Sequence, residues 1–138
     1  MRHHSSLIDF AIFLRQFLIV NKQIVDIPCV FDFPKNSCET ACTLLTMFYL
    51  KSLTAVASFQ VVKSVRPSHY WIEFDGAVVD ITLDQFDQKW TPIIGSQSPH
   101  PFDKLGNVEY LTAIDFLHCD ESMYRSAQIR FDKLFSTF

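Results

Sequence analysis

The dipeptide Asp75-Gly76 lies between two apolar runs, HYWIEF and AVVDIT, and it constrains the fold more than any other feature of the chain. Asp-Gly is a strong signal for a two-residue β-hairpin turn, because both central residues of that turn take a positive φ angle. Such a turn pairs Phe74 with Ala77, and counting outward fixes every later pair. The dipeptide therefore predicts both a hairpin and its register.

The same register places a histidine and an aspartate on one face of the hairpin. Counting outward pairs Trp71 with Asp80 and His69 with Thr82, so His69 lies diagonal to Asp80. The Cβ atoms of a diagonal pair are about 7–8 Å apart or less, a gap that an imidazole and a carboxylate can bridge. A three-residue loop or a bulge would instead turn Asp80 to the opposite face. The sequence therefore predicts a contact between His69 and Asp80 that depends on the length of the turn.

A helix is predicted to begin at the segment FPKNSC. Apolar residues recur at helical spacing from residue 38 to about 52, and neither Gly nor Pro interrupts them. Cys38 falls in the first turn, with Ser37 as the cap or with Asn36 and Glu39 forming a capping box. In the first turn, unpaired backbone N–H groups and the positive end of the helix dipole favour an anionic sulfur. The same N–H groups are suited to bind an oxyanion, so Cys38 is the candidate nucleophile.

The remaining segments complete an α+β pattern, with helices expected near both ends of the chain and strands between them. The predicted ranges are a helix over 5–21, an irregular segment over 27–36, a strand over 56–65, a loop with one short strand over 83–102, a helix or a strand over 108–117 and a closing helix over 121–135. No repeat or linker divides the chain, so we expect a single domain over residues 1–138.

Composition and charge exclude several classes of function. The chain is 49% hydrophobic and has fourteen Phe but only three Gly, which is typical of a densely packed protein. Its net charge is −3, and Lys and Arg do not cluster as they do where a nucleic-acid backbone is bound. Asp9 and Arg15 interrupt the apolar N-terminal stretch, so neither a signal peptide nor a membrane span is expected. We therefore expect a cytoplasmic protein with no nucleic-acid and no membrane partner.

The cysteines offer one candidate nucleophile and a weak case for a metal. Disulfides seldom persist in a cytosol, so all four are expected to be reduced thiols. Cys42 lies one helical turn beyond Cys38 and is expected in the core, while Cys29 and Cys119 have no visible partner. The chain has no Cys-x-x-Cys pair, which disfavours a zinc or redox site, although zinc held by Cys38, Cys42 and His69 is an alternative. We expect no metal and no cofactor.

A thiol, a histidine and an acid together supply the parts of nucleophilic catalysis by cysteine. Cys38 would attack a carbonyl carbon, His69 would accept and return the proton, and Asp80 would orient the imidazole. His100, in the segment SPHPF, competes for the histidine role or serves as a residue of a substrate-binding loop. Asp84 is the reserve for the acid.

The segments that carry these residues resemble a known superfamily. FPKNSCETACTLL, HYWIEFDG and AVVDIT are similar to parts of the papain-like and transglutaminase-like cysteine enzymes. HYWIEFDGAVVD in particular resembles the His-x-Trp-x-Glu and Asp region of the transglutaminase core, including that of lasso-peptide leader peptidases. The whole span from Phe33 through DITLDQF also resembles small bacterial proteins of unassigned function. The resemblance covers residues 33–86. It implies a helix packed on a small antiparallel sheet, with Cys38, His69 and Asp80 as the triad.

The function predicted on these grounds is cysteine-dependent acyl transfer on an amide of a protein or peptide substrate. Peptide hydrolysis, glutamine deamidation and transamidation share one acyl-enzyme intermediate, so the sequence does not separate them. The alternative is a non-catalytic protein-binding module that retains the fold and uses an aromatic surface. A third interpretation is a maturation enzyme or a toxin that acts on one partner protein. The oligomeric state is not predicted.

Overall fold

A computed structural model describes residues 2–20, 37–52, 58–87, 89–118 and 121–136 of the chain. Within these ranges the helices are α1 (Arg2–Val20), α2 (Cys38–Ser52), α3 (Ala113–Leu117) and α4 (Glu121–Phe135). The strands are β1 (Phe59–Val65), β2 (Ser68–Phe74), β3 (Ala77–Asp80), β4 (Ile93–Ser96) and β5 (Val108–Thr112). Two 3₁₀ helices, Leu83–Gln85 and Pro101–Leu105, lie before and after β4. None of the described helices is both long enough and apolar enough to cross a membrane.

The strands form one antiparallel sheet in the order β4-β3-β2-β1-β5. Asp75 and Gly76 connect β2 to β3 with φ angles of 54° and 82°, as a two-residue turn of the primed type requires. Phe74 pairs with Ala77, and Ile72 pairs with Val79. The predicted hairpin register is therefore confirmed.

The two faces of the sheet contact different parts of the chain. Successive side chains of a strand point to opposite faces, so Ile72 and Val79 face the helices while Trp71 and Val78 face the other way. The helix side holds the larger core. The opposite face has a smaller cluster, which is covered by the segment that contains the two 3₁₀ helices. Its buried members are Val62, Trp71, Val78, Leu83 and Phe102.

Phenylalanine rings join the helices to one another. Phe10 of α1 stacks on Phe48 of α2 with ring centroids 4.3 Å apart, and it contacts Phe131 of α4 at 6.0 Å. Burial of one such ring stabilises the fold by about 1.5–3 kcal/mol. At the sheet edge, Gly95 of β4 has a φ angle of 87°, and an added Cβ would lie 2.8 Å from Ile8 of α1. Glycine therefore allows α1 to approach β4 closely.

The α+β class is as predicted, because α2 begins at Cys38 and packs on an antiparallel sheet. The segment over 108–117 contains both predicted alternatives, since β5 ends at Thr112 and the hydroxyl of Thr112 then accepts the Asp115 N–H to cap α3. The short strand expected within 83–102 is β4, which covers Ile93–Ser96. The irregular segment over 27–36, Cys29 and Cys119 lie outside the described residues.

Candidate functional site

Asp80, the last residue of β3, is the centre of a buried polar cluster. Its side chain is 2% exposed. Oδ2 lies 2.6 Å from Nε2 of His69 and 2.7 Å from Nε2 of His100. Oδ1 accepts the backbone N–H of Thr82 at 3.1 Å and the Thr82 hydroxyl at 3.3 Å. Four donors match the roughly four lone-pair sites of a carboxylate, so its hydrogen-bonding capacity is filled without water. We call His69, Asp80 and His100 the His–Asp–His cluster.

These donors keep the Asp80 carboxylate ionised inside the protein. Burial raises the pKa of Asp80, but hydrogen bonds from His100 and His69 outweigh burial and hold the pKa below its usual value. A negative charge therefore lies at hydrogen-bond distance from both imidazoles, where it stabilises a protonated ring.

His69, near the start of β2, has its two ring nitrogens engaged differently. Nε2 faces Asp80, and Nδ1 lies 3.1 Å from Nε2 of Gln85. A neutral ring accepts the Gln85 amide N–H at Nδ1, whereas a protonated ring can donate from Nδ1 only to an acceptor, such as the oxygen of a reoriented amide. Burial lowers the pKa of His69, but hydrogen bonds with Asp80 and Cys38 outweigh it, and the pKa rises from 6.5 to about 9. His69 is therefore electrostatically coupled to both an acid and a thiol.

His100 is fixed in one orientation by three contacts. It caps the 3₁₀ helix Pro101–Leu105, and its Nδ1 accepts the backbone N–H of Phe102 at 3.0 Å. Because Nδ1 is an acceptor, the ring proton lies on Nε2 and is donated to Asp80. The ring also stacks on Trp71, with centroids 3.7 Å apart and planes 8° apart.

Cys38 is the first residue of α2 and is half-buried. The carbonyl of Ser37 accepts the Ala41 N–H at 2.9 Å, which places Ser37 at the cap position. The alternative cap, Asn36, lies outside the described residues. Cys38 lies close enough to His69, the second residue of β2, to contribute to the raised pKa of that ring. Cys42, one turn further along, is buried as predicted, and burial raises the pKa of its thiol well above the usual value.

The His–Asp–His cluster is also the only group of three or more metal-ligating side chains in the described part of the chain. Cys38, Cys42 and His69, the zinc ligands considered from the sequence, therefore do not form such a group within the described residues. Tetrahedral zinc at 2.0–2.1 Å from each ligand separates ligand atoms by roughly 3.3 Å. The N–O distances of 2.6 and 2.7 Å are shorter and match shared protons. The geometry thus favours hydrogen bonds over a metal centre.

An open groove lies beside the cluster. Phe86 contacts His69 edge-on with ring centroids 4.8 Å apart, and its side chain is 38% exposed. Trp90 lies 5.6 Å from the ring of Phe102. The groove has a volume of about 370 Å³ and is lined by Leu83, Lys89, Trp90, Thr91, Ile93 and Pro101. Its wall is mostly apolar, with one cationic side chain.

Other residues considered from the sequence have different partners. Asp84 forms a two-pronged ion pair with Arg15 of α1, with N–O distances of 3.0 and 2.9 Å, so it is not the acid beside His69. His100, which was considered as a competing histidine or a substrate-loop residue, is buried against Asp80. The sequence interpretation missed Gln85, because nothing in the sequence shows that a short 3₁₀ turn after Thr82 brings its amide to His69.

Comparisons of the chain with protein families, with curated proteins and with solved structures found no match. The fold and the site therefore define the protein only as a class. It is an α+β protein in which a helix that begins at a cysteine packs on an antiparallel sheet that carries a buried His–Asp–His cluster. Membership of the papain-like or transglutaminase-like enzymes stays a prediction.

Proposed function

We propose that this protein is a cysteine-dependent acyl-transfer enzyme that acts on an amide of a protein or peptide. Cys38 is the nucleophile, His69 is the general base and acid, and Asp80 orients the imidazole and stabilises its protonated form. The observation that carries the proposal is the arrangement of His69. Nε2 is held 2.6 Å from a buried carboxylate, so a proton exchange with the thiol of Cys38 would use Nδ1, which also lies 3.1 Å from the Gln85 amide nitrogen.

The electrostatics of the site support a protonated His69 close to the candidate nucleophile. Burial lowers the pKa of His69, but Asp80 and Cys38 outweigh it and raise the pKa to about 9, so the ring holds its proton near neutral pH. A protonated ring at this place can give a proton to a leaving group. The start of α2 adds the positive end of the helix dipole, since Cys38 is the first residue of the helix.

The reaction that these groups support has two halves. In the first half, Sγ of Cys38 bonds to the carbonyl carbon, the C–N bond breaks, and His69 passes the thiol proton to the leaving amine or ammonia. In the second half, water attacks the thioester and gives a proton to His69. The C–S bond then breaks, and the proton returns to the sulfur. A primary amine in place of water would give transamidation.

Alkylation by iodoacetamide tests the proposal, with Cys42 as the internal reference on the same helix. We expect Cys38 to react faster than Cys42 in the native protein, and His69→Gln to slow Cys38 about tenfold near neutral pH. Mass-spectrometric mapping of each thiol over time measures both rates. In urea-unfolded protein the two thiols should react alike. If His69→Gln leaves the Cys38 rate unchanged, accessibility alone explains the reactivity and the proposal fails.

A second candidate function is a protein-binding module, which is favoured by the groove, by the exposed ring of Trp90 that lines it and by the exposed ring of Phe86. In that case the Cys38 rate would not depend on His69. Phe86→Ala or Trp90→Ala would then abolish partner binding without changing thiol chemistry. The alkylation experiment therefore distinguishes the two functions.

A further inference from the structure

We propose that His100 is a positioning residue for the reaction, which acts through Asp80 and never contacts substrate. The inference rests on the proposed function, because the role of His100 is defined by the chemistry of Cys38 and His69. It concerns a histidine that comes twenty residues after Asp80 in the chain and makes a hydrogen bond with the same carboxylate oxygen as His69.

The geometry makes His100 a fixed donor. Its Nδ1 is occupied by the backbone N–H of Phe102 at 3.0 Å, so Nε2 carries the proton that reaches Asp80 at 2.7 Å. Stacking on Trp71 prevents the ring from rotating away. The ring is 1% exposed and is shielded from substrate by the residues that bury it. His100 is therefore a structural donor and not a second base.

The donor matters because Asp80 is buried. Water does not replace a lost hydrogen bond there, and the carboxylate would keep three donors where it now has four. Hydrogen bonds to an ionised group are about twice as strong as neutral ones. Without His100 the negative charge becomes harder to hold, and Asp80 then stabilises a protonated His69 less. The loss should therefore lower the pH at which His69 titrates.

Other titratable groups surround His69 and remain unchanged in the test. Cys38 of α2 and Asp80 of β3 face the ring directly, and His100 reaches it through Asp80. Cys42 of α2 in turn interacts electrostatically with Cys38, Asp80 and Glu39. Because His100 is the only one of these groups that is altered, a change in the His69 midpoint reports on the His100 donor.

Two substitutions separate the two hydrogen bonds of His100. In His100→Asn, Oδ1 takes the place of Nδ1 and can still accept the Phe102 N–H, but no donor reaches Asp80. In His100→Gln, Nε2 takes the place of the ring Nε2 and can still donate to Asp80, but the cap is lost. If His100 acts through Asp80, His100→Asn should lose the native His69 midpoint and Cys38 rate, and His100→Gln should keep them. A role only in capping predicts the reverse.

The readouts are the His69 titration followed by NMR of the imidazole and the Cys38 alkylation rate against pH, in the full chain. We expect His100→Asn to lower the His69 midpoint by about one pH unit and to slow Cys38 alkylation most strongly between about pH 8 and 9, where the variant ring has lost more of its proton than the native ring. His100→Gln should stay close to the native protein in both the His69 midpoint and the Cys38 alkylation rate. Equal behaviour of the two variants, whether both like the native protein or both impaired, overturns the proposal, as does a greater loss in His100→Gln. If Cys38 is unreactive in every form while the NMR midpoints follow the expected order, the proposed function fails but the action of His100 on Asp80 stands.

Discussion

A buried carboxylate is unfavourable unless hydrogen bonds replace the hydration that it loses. Asp80 meets this condition with donors from three residues, all close in space but separated along the chain. The arrangement also explains the high pKa of His69, because the retained charge lies 2.6 Å from its ring. At the scale of single residues, the site is therefore an anion with fixed donors, and the chemistry proposed for Cys38 depends on that anion.

Asp80→Asn should be strongly destabilising although it is nearly isosteric. The carboxylate accepts from the histidines with Oδ2 and from Thr82 with Oδ1. An amide has only one oxygen, so at least one of these buried donors loses its acceptor. We expect a loss of about 1–3 kcal/mol in the free energy of unfolding. Urea denaturation measures it, with Asp87→Asn as the control, since Asp87 is an exposed acid in the same loop. The control should stay within about 0.5 kcal/mol of the native protein. Equal stability of the two variants would contradict the account of Asp80.

At the scale of elements, the turn after β3 is held by the N-terminal helix. Arg15 of α1 donates to the carbonyl of Ile81 at 2.5 Å and makes the two-pronged ion pair with Asp84. Ile81 comes just before Thr82, and Asp84 comes just before Gln85. Thr82 and Gln85 both contact the His–Asp–His cluster. Helix α1 therefore supports the site without contributing a residue to it.

Arg15→Lys should weaken this support, because lysine keeps the charge but lacks the planar fork that binds both carboxylate oxygens. We expect a loss of about 1–2 kcal/mol in the free energy of unfolding by urea denaturation. Lys51→Met is the matched control. Its ion pair with Asp132 is 3.5 Å long and exposed, so the loss there should stay below about 1 kcal/mol. A control loss as large as that of Arg15→Lys would refute the assigned role.

The hairpin was the most predictable element, since Asp75 and Gly76 determine the turn by local backbone preference alone. The hydrogen bond between His69 and Asp80 follows from that register. His100 and Arg15 were not predictable as neighbours of the site, because a proline-rich segment and a helix sixty-six residues before Ile81 reach it only by tertiary packing. Local sequence patterns therefore indicated the centre of the site but not the residues that hold it.

At the scale of the whole molecule, the main core and the polar cluster involve different faces of the sheet, and they meet at the end of the strands, where His69 is the second residue of β2 and Asp80 the last of β3. The helices pack on one face through phenylalanine rings, while His69 and Asp80 lie among the residues of the opposite face with Trp71 and Phe102. Burial, Cys38 and Asp80 raise the pKa of Cys42, a member of the larger core, so the core and the site are electrostatically linked. The ionisation of the cluster still contributes to the free energy of unfolding, because its groups titrate differently in the folded and unfolded chain.

The pH dependence of stability follows from these shifts. The pKa of His69 is higher in the folded chain, so its contribution is fully present below about pH 6.5 and is lost as the pH rises toward about 9. The pKa of Asp80 is lower in the folded chain, so its contribution is present above 3.8 and is lost as the pH falls below that value. Urea denaturation across this range should show a decline between about pH 6.5 and 9 that is much smaller in His69→Gln. Parallel curves for the two proteins over that interval would contradict the sign or the source of the effect.

The coupling of Cys38 to His69 is the claim on which the proposed chemistry depends, and an NMR titration of the His69 ring tests it most directly. In the native protein the ring should titrate near pH 9, and Cys38→Ala should lower that midpoint because the thiol contributes to the raised pKa. Cys42→Ala, one helical turn away, should leave the midpoint close to the native one. A His69 midpoint that is the same in the native protein and in Cys38→Ala would show that the two side chains do not share a proton, and the enzyme account would then be wrong.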